Sequence, residues 1–396
     1  LLCLAMPLIV SCVDLDENPP SDLSPQNFYT SESEYNAALT GIIKALYSDW
    51  SGFDYGYDLI LASGAEDIRS DADLFKNFDR LVPNDRELVI HDFWMKCYQA
   101  ISNANTLISK LQNAKDVSAE KLDALEGQAR FLRAFTYFYL VRFFGPVQVT
   151  TYENQNSIET VKQSSVAEVY DTILEDLSIA EVKLPLSFAE KVYLTMTGWP
   201  LNDKSYYVLA RDKAAEVMDE KYGYDLEDDF SDLWKQSNKL KSKEFIFTFY
   251  GSVAEDGVAG SHMDLATRYF GNGEGGWGDY FSETRFFDAF PEGPRKDATF
   301  TSVFADGTTF TEAGVEPFIA KYRDGGRRVS TSSEGFRPML RFADVLLLYA
   351  EAANYVNNGP DQAALDAFDR VYSRGRGESS PYTLRTSQNE FDRAVL

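Results

Sequence analysis

Histidine is nearly absent from this 396-residue chain, in which His91 and His262 are the only two. A zinc site of the HExxH type needs two histidines one helical turn apart, and a hydrolase triad needs a histidine beside a serine and a carboxylate. The sequence offers obvious material for neither. Paired carboxylates could hydrolyse a glycoside, but 62 acidic residues leave no way to select a pair. We therefore predict no enzymatic activity and no cofactor, with a glycoside hydrolase as the disfavoured alternative.

Cysteine and positive charge are also scarce. Of three cysteines, Cys3 and Cys12 lie at the start of the chain, which leaves Cys97 without a partner for an intrachain disulfide. We expect Cys97 to pack as a small apolar residue in its helix. The formal net charge of −24 argues against binding to nucleic acid or to anionic lipid head groups. Neutral ligands such as sugars remain compatible with that charge.

The apolar run at the start of the chain is too short to span a bilayer as a helix, because it ends after eleven residues. It closes in Ile9-Val10-Ser11-Cys12, which has the form of a bacterial lipobox. This pattern predicts that residues 1–11 are a signal peptide lacking its true start. Cys12 is then the lipid anchor, and residues 12–30 form a tether. A short buried strand or helix with a core cysteine is the alternative.

Two capping boxes mark helix starts, since a serine is followed three residues later by a glutamate at Ser31 with Glu34 and at Ser165 with Glu168. They predict helices over residues 32–47 and 166–184, each with apolar side chains on one face. The same periodicity predicts further helices over residues 93–111, 119–143 and 204–221.

Residues 341–377 carry the clearest pattern in the chain, which predicts two packed helices. Apolar side chains recur at helical spacing, and Asn357-Asn358-Gly359 then ends the first helix with residues that tolerate left-handed dihedral angles. Alanines on both helices allow a close approach, as in tetratricopeptide repeats. Because one such hairpin cannot bury its own face, we predict a mainly α fold of four helical hairpins.

Residues 223–335 have a different character, being rich in glycine, aspartate and aromatic residues. One run, residues 244–250, reads as a strand. We predict a loop-rich insertion laid over the helices, and binding residues tend to lie on such loops. Residues 31–396 are therefore expected to form a single domain, a helical-repeat scaffold with a loop-rich ligand-binding face.

A glycine-rich stretch in that insertion, from Gly271 to Gly276, formally satisfies GxGxxG. No βαβ unit surrounds it, so we predict a flexible loop and not a phosphate site. The glycines could leave the rings of Trp277 and Tyr280 open to solvent, where a sugar stacks its apolar face on an aromatic ring. The alternative is that Trp277 fills the core and anchors the loop.

A second candidate surface is the segment between the first two helices, where aromatic residues alternate with short polar ones. That order suits carbohydrate, although a solvated loop with a few anchoring rings has the same composition. A calcium site from Asp67, Asp71 and Asp73 lacks the glycine and glutamate of an EF-hand loop, so no metal is expected. The candidate ligand-binding residues here are Trp50, Tyr55, Tyr57, Asp67, Arg69, Asp71, Phe75 and Asn77.

The hairpin sequence RFADVLLLYAEA, which begins at Arg341, resembles the SusD/RagB family of nutrient-binding outer-membrane lipoproteins from Bacteroidetes. Further segments have family counterparts in the same order along the chain. They are WMKCYQAISNAN, FLRAFTYFYLVRFFGPV, KVYLTMTGWPL, FDAFPEGPRKDATF and FIAKY. The resemblance runs through most of the chain.

The resemblance implies a cell-surface lipoprotein, held in the outer membrane by acyl chains such as palmitate on Cys12. The acidic stretch after that cysteine resembles a signal for surface export. The protein is expected to capture oligosaccharides on its loops, including those near residues 50–80, and to pass them to a SusC-like TonB-dependent transporter. Two alternatives stay open: a RagB-like member that captures peptides, and a non-catalytic helical scaffold that binds only protein.

The chain departs from the family pattern at two places. It stops at Leu396, where a typical member continues into an aromatic-rich carboxy-terminal segment, so a truncated gene or a fragment is expected. The stretch between Leu184 and Lys191 is also shorter than usual. If residues are missing there, Val192 and Leu194 are expected to be poorly covered.

Overall fold

The computed structural model describes residues 28–47, 52–57, 65, 67–70, 72–73, 75–84, 86–184, 188–253 and 260–396. Helices are the main element of this described part, as the sequence predicts. Those of eight residues or more are α1 (Glu32–Leu46), α2 (Leu88–Leu111), α3 (Ala119–Phe144), α4 (Val166–Lys183), α5 (Ala189–Met196), α6 (Tyr206–Val217), α7 (Phe342–Asn357), α8 (Gln362–Arg376) and α9 (Gln388–Val395).

The predicted helix bounds differ from the observed ones in a few places. Helix α2 begins at Leu88 and not at residue 93, while α6 covers Tyr206–Val217 and not residues 204–221. Helices α5 and α9 were not predicted from periodicity. Each contains eight residues, which is too few for a periodic apolar pattern to stand out.

Local side-chain chemistry sets several helix ends. Both predicted capping boxes are present. The Glu34 carboxylate accepts a hydrogen bond from the Ser31 amide at 2.9 Å, and the Glu168 carboxylate accepts one from the Ser165 amide at 2.7 Å. Helix α7 ends at Asn357, and Asn358 takes a left-handed conformation with φ of 55°. These bonds satisfy amide groups that have no partner inside the helix, which is why the ends are readable from sequence.

The helices pack in sequence-adjacent pairs, α1 with α2, α3 with α4, α5 with α6, and α7 with α8. Contacts of α2 with α3 and of α6 with α7 join neighbouring pairs. The predicted arrangement of four hairpins is therefore present, and α5, which was not predicted, completes the third of them. The main core between them is rich in aromatic rings: buried Phe188 packs against Phe135 and Phe138, with ring centroids 5.6 and 5.2 Å apart.

One buried carboxylate fastens α3 to α4. Asp176 on α4 accepts two hydrogen bonds of 2.7 Å from the Arg133 guanidinium and one of 2.9 Å from Arg130, and both arginines lie on α3. Arg133 also donates to Asn105 on α2 at 2.6 Å. This cluster therefore ties three consecutive helices together.

The loop-rich insertion is rooted on a two-stranded antiparallel ribbon. Strand β1 (Phe245–Tyr250), which the sequence predicts, pairs with β2 (Phe336–Arg341), which it does not. Phe249 of β1 and Leu340 of β2 lie in the main helical core. The two ends of the insertion are thus fixed side by side on the scaffold.

A second buried carboxylate holds the base of this ribbon. Glu244, just before β1, is fully buried and forms ion pairs with Arg341 and Arg374. Its carboxylate also accepts the Glu227 amide at 3.0 Å. Since Arg341 ends β2 and Arg374 lies on α8, Glu244 links the insertion to the carboxy-terminal hairpin.

The insertion otherwise consists of short elements joined by loops. Its short helices are Met263–Ala266, Thr284–Ala289, Pro294–Thr299 and Phe310–Ala313, with 3-10 turns at Phe230–Trp234 and Gln236–Asn238. Short strands pair Ile68–Arg69 with Phe281–Ser282, Phe300–Thr301 with Phe318–Ile319, and Arg328–Val329 with Ser332–Ser333. Elsewhere, Val147–Gln148 pairs with Gln163–Ser164. Lys76–Asp79 is a single helical turn, and Gln155–Thr160 is a 3-10 segment.

Two sequence-based expectations about the scaffold can be compared with the structure. Val192 and Leu194 are buried, so the expectation that they are poorly covered is wrong: α5 packs them against the core and against α6 and α7. Cys97 is buried with a free thiol on α2, as predicted.

None of the described helices combines the length and apolar content that a bilayer span requires.

Candidate functional site

The aromatic residues predicted to bind ligand between α1 and α2 are buried where the structure describes them. Tyr57 lies in the main core, where its ring contacts Phe93 and Tyr139 with centroids 6.3 and 5.2 Å away. Tyr55 and Phe75 belong to a second core beneath the insertion. Trp50 and Asp71 lie outside the described residues.

The second core brings the two candidate surfaces together. Tyr55 sits edge-on to Phe75, Trp277 and Tyr280, with centroid distances of 5.2, 5.8 and 6.2 Å. The Tyr55 hydroxyl donates to the Asp279 carboxylate at 2.6 Å. Burial, with Asp279 beside it, raises the pKa of Tyr55, so this phenol stays protonated as a hydrogen-bond donor.

Four of the predicted ligand-binding rings are buried and cannot present a face to a sugar, which corrects that expectation. They are Tyr55, Tyr57, Phe75 and Tyr280. They fill the space between insertion and scaffold because large rings give the most buried apolar area there. Trp277 is half-buried and stacks on His262, with centroids 5.8 Å apart and planes 29° from parallel. Its position fits the alternative in which Trp277 anchors the loop.

The polar candidates of the same segment make structural contacts. Arg69 pairs with Glu316 at 2.9 Å, and the Asn77 amide donates to Glu87 at 2.8 Å. The Asp67 carbonyl accepts a hydrogen bond from the Glu283 amide at 3.0 Å, and Asp67 also lines a cavity in the insertion. Their part in ligand binding stays a prediction.

Metal-binding side chains do not converge in groups of three or more within the described ranges. Of the three aspartates considered for calcium, Asp73 pairs with Lys76 at 2.5 Å.

A buried Ser-His-Asp group joins the scaffold to the insertion. Asp54, from the loop after α1, accepts the Ser261 hydroxyl and the His262 backbone amide, both at 2.7 Å. Ser261 Oγ also accepts the Met263 amide at 3.2 Å. In a hydrolase triad the serine proton goes to the imidazole, whereas here it goes to the carboxylate and all three residues are buried. These bonds join the loop after α1 to the insertion.

The Asp54→Asn variant is expected to lose about 1–3 kcal/mol of unfolding free energy, because an amide nitrogen replaces one acceptor and leaves a buried donor unpaired. Urea denaturation followed by tryptophan fluorescence measures this loss. The matched control is Asp92→Asn, since Asp92 is an exposed carboxylate on α2. Equal stability of the two variants contradicts the proposed joint.

A buried charge connects the glycine-rich stretch to the rest of the insertion. The Glu274 side chain is buried and forms an ion pair with Arg323, with Arg268 3.8 Å away. A Cβ on Gly276 would lie 2.3 Å from the Arg268 carbonyl oxygen, so only glycine allows this close approach. The stretch therefore holds its neighbours in fixed positions, which the GxGxxG pattern does not reveal.

The exposed ring beside this stretch is Phe270, which sequence reasoning missed. Its side chain is 68% exposed, and its ring lies 4.3 Å from that of Tyr269, centroid to centroid. Asn272 follows closely and donates to Asp306 at 3.1 Å, at the surface. We call these four residues the Phe270 surface. The signal for it in the sequence is an aromatic pair, Tyr269-Phe270, directly before the glycines.

The Phe270 surface combines what non-covalent sugar binding requires. An open aromatic face takes the apolar side of a pyranose, and amide and carboxylate groups beside it bond hydroxyls. Tyr269 is braced from behind by Phe304 and Phe318, at centroid distances of 5.5 and 5.4 Å. A rigid platform loses little conformational entropy when a ligand binds.

Comparisons with known proteins agree with this architecture. A family model described as "Starch-binding associating with outer membrane" matches residues 15–200, and one described as "SusD family" matches residues 296–396. SusD-like protein P2 from Formosa agariphila is 27% identical over 425 residues, covering 96% of this chain and 82% of the relative.

Solved structures show the same fold. A SusD superfamily protein from Parabacteroides distasonis has a TM-score of 0.78 and 26% identity, covering 92% of this chain and 84% of that one. A laminarin-binding SusD-like protein has a TM-score of 0.76 and 22% identity, covering 93% of this chain and 89% of that one. The two family models, the relatives and the fold agree with the resemblance in the sequence, and the chain belongs to the SusD/RagB family.

Proposed function

We propose that this protein captures oligosaccharides without chemically altering them, and that the Phe270 surface is part of its binding site. The observation that carries the proposal is an exposed aromatic ring with adjacent polar groups, on a loop of the insertion. The laminarin-binding neighbour and the starch-binding description of one family model support a glycan as ligand.

The wider proposal places the protein at the cell surface, facing outward from the outer membrane. Cys12 is the proposed lipid anchor, and a SusC-like TonB-dependent transporter is the proposed recipient of the captured glycan. The description of the matching family, associated with the outer membrane, supports the location. In this arrangement binding is non-covalent and the transporter supplies the direction of transfer.

Trp50, Asp67, Arg69, Asp71 and Asn77 remain proposed contributors to the site. Arg69 pairs in a short strand with Phe281, so this segment reaches the insertion. This pairing is the observation that supports a contribution of Arg69 to a site on the insertion.

The Phe270→Ala variant tests the location of the site. We expect its affinity for the glycan class that the wild type binds to fall about tenfold, equivalent to about 1.4 kcal/mol, because a stacking face is lost. Isothermal titration calorimetry on both proteins measures the change.

Trp199→Ala is the matched control, since Trp199 is an 85% exposed ring at the turn between α5 and α6, far along the chain from the insertion. Affinity that survives Phe270→Ala but falls in Trp199→Ala would move the site to the helical scaffold. A wild-type protein that binds extended peptides and no glycan would favour the RagB-like alternative.

A further inference from the structure

Helix α9 packs on the α7–α8 hairpin and is held there by a buried ring and a few polar contacts. Phe391 is the buried residue of α9, and its ring lies 5.3 Å from that of Phe368 on α8, centroid to centroid. The Asn354 side-chain amide of α7 donates to the Gln388 carbonyl at 3.0 Å. Because α9 has only eight residues, its helical structure depends on such tertiary contacts. A change of charge beneath α9 is therefore expected to affect its docking.

Two carboxyl groups meet where α9 packs on α7. Asp392 of α9 accepts a hydrogen bond from the Tyr355 hydroxyl of α7 at 3.3 Å through Oδ2. Its other oxygen, Oδ1, is buried and has no hydrogen-bond partner among the described residues. Glu351 lies one helical turn before Tyr355, on the same face of α7, which places its carboxyl beside Asp392. Two adjacent carboxyl groups that are withdrawn from water favour a state in which one of them keeps a proton.

Lys204, just before α6, is the cation whose charge reaches this pair, but its ammonium is bound elsewhere. It donates to the Thr197 carbonyl at 2.7 Å and lies 5.5 Å from the centre of the Tyr207 ring. Within the described part of the chain it forms no ion pair with either carboxyl group. The clusters that flank Glu351 on α7 add apolar and phenolic side chains from the other helices. They are Leu365 and Phe368 of α8, Tyr207 of α6, and Tyr193 and Leu194 of α5.

This environment makes the docking of α9 depend on pH. Burial and the neighbouring Asp392 raise the pKa of Glu351 to about 7, and Lys204 only partly opposes them. Undocking of α9 removes Asp392 and part of the burial, so the pKa then falls toward the ordinary glutamate value of about 4.3. Between these two values the docked state binds a proton that the undocked state releases. Docking therefore weakens as the pH rises toward 7 and stays constant above it.

We propose that Glu351 and Asp392 form a pH-sensitive latch for α9, in which a protonated Glu351 donates to Asp392 Oδ1 and loss of that proton to solvent loosens the helix. The protonated carboxyl supplies the donor that Oδ1 lacks. When it ionises, two like charges face each other across an interface where solvent screens them weakly. The latch lies on the helical scaffold, so it does not rest on glycan capture by the insertion.

The test measures hydrogen exchange of residues 388–395 by mass spectrometry between pH 5 and pH 8, in the wild-type protein and in Glu351→Gln. Glutamine keeps the size of the side chain and stays neutral at every pH. The wild-type exchange rate divided by the variant rate at the same pH cancels the intrinsic pH dependence of exchange. We expect this ratio to rise at least tenfold from pH 5 to pH 7 and to level off above pH 7, because one proton shifts the docking equilibrium by up to tenfold per pH unit.

Asp392→Asn is the second variant, since it removes one of the two charges and leaves Glu351 in place. Its ratio to the Glu351→Gln rate is expected to rise less than the wild-type ratio, because burial alone then raises the pKa of Glu351. The matched control is Glu390→Gln, an exposed carboxylate on the same helix, which should keep the wild-type rise.

Four results overturn the latch. They are a wild-type ratio that stays constant between pH 5 and pH 8, an undiminished rise in Asp392→Asn, loss of the rise in Glu390→Gln, and an equal rise in α3, which would indicate global destabilisation. The proposed function is tested separately by glycan affinity in Phe270→Ala, and none of these results bears on it.

Discussion

The Asp176→Asn variant is expected to unfold with a free energy lower by about 3 kcal/mol, at the low end of the range for breaking a buried ion pair. Asp176 is buried between Arg130 and Arg133, and the amide cannot neutralise either guanidinium. Arg130 keeps a second carboxylate, Glu126, at 2.8 Å, which limits the loss. Arg133 keeps only the neutral Asn105 oxygen among the bonds described above.

Chemical denaturation monitored by circular dichroism measures this effect, because α3 and α4 belong to the helical scaffold. The control is Glu175→Gln, which removes the neighbouring carboxylate on the same helix where it faces solvent. We expect that control to change stability by less than about 0.5 kcal/mol. If the two variants are equally stable, Asp176 does not hold the hairpins together.

The Glu244→Gln variant is expected to lower the stability of the folded protein by about 3–5 kcal/mol, because two arginines lose their buried counter-charge at once. Arg341 lies 3.2 Å from the carboxylate, and Arg374 binds it through both terminal nitrogens. The loss falls where the β1–β2 ribbon meets α8. We therefore expect faster amide hydrogen exchange in residues 260–335 while α1 to α4 keep their protection.

Hydrogen exchange read by mass spectrometry separates this local effect from global unfolding. Glu227→Gln is the control, since Glu227 contacts the cluster through its backbone amide and not through its carboxylate. Uniformly faster exchange over the whole chain in Glu244→Gln would contradict a joint between insertion and scaffold.

Much of the scaffold could be predicted from sequence because its signals are local. Serine and glutamate three residues apart set the starts of α1 and α4, and the left-handed Asn358 ends α7. Apolar spacing then assigned the buried faces. Strand β2 was not predicted because it pairs with β1, which lies far from it in the chain. Local periodicity does not identify the distant partner of a strand.

The candidate site was less predictable, since ring exposure depends on packing between distant segments. Tyr55 and Tyr280 have the composition of a sugar-binding surface, yet they bury each other beneath the insertion. Phe270 has an apolar side chain and reads as a core residue, yet it is open.

One measurement tests whether the protein captures a glycan without cleaving it. The purified protein is incubated for a day with a panel of plant, host and microbial glycans. The binding affinity and the chain length of each glycan are both measured. We predict saturable binding of one glycan class with its chain length unchanged. Shortening of the bound glycan would contradict capture without turnover and indicate a hydrolase. A folded protein that binds nothing in the panel would contradict glycan capture itself.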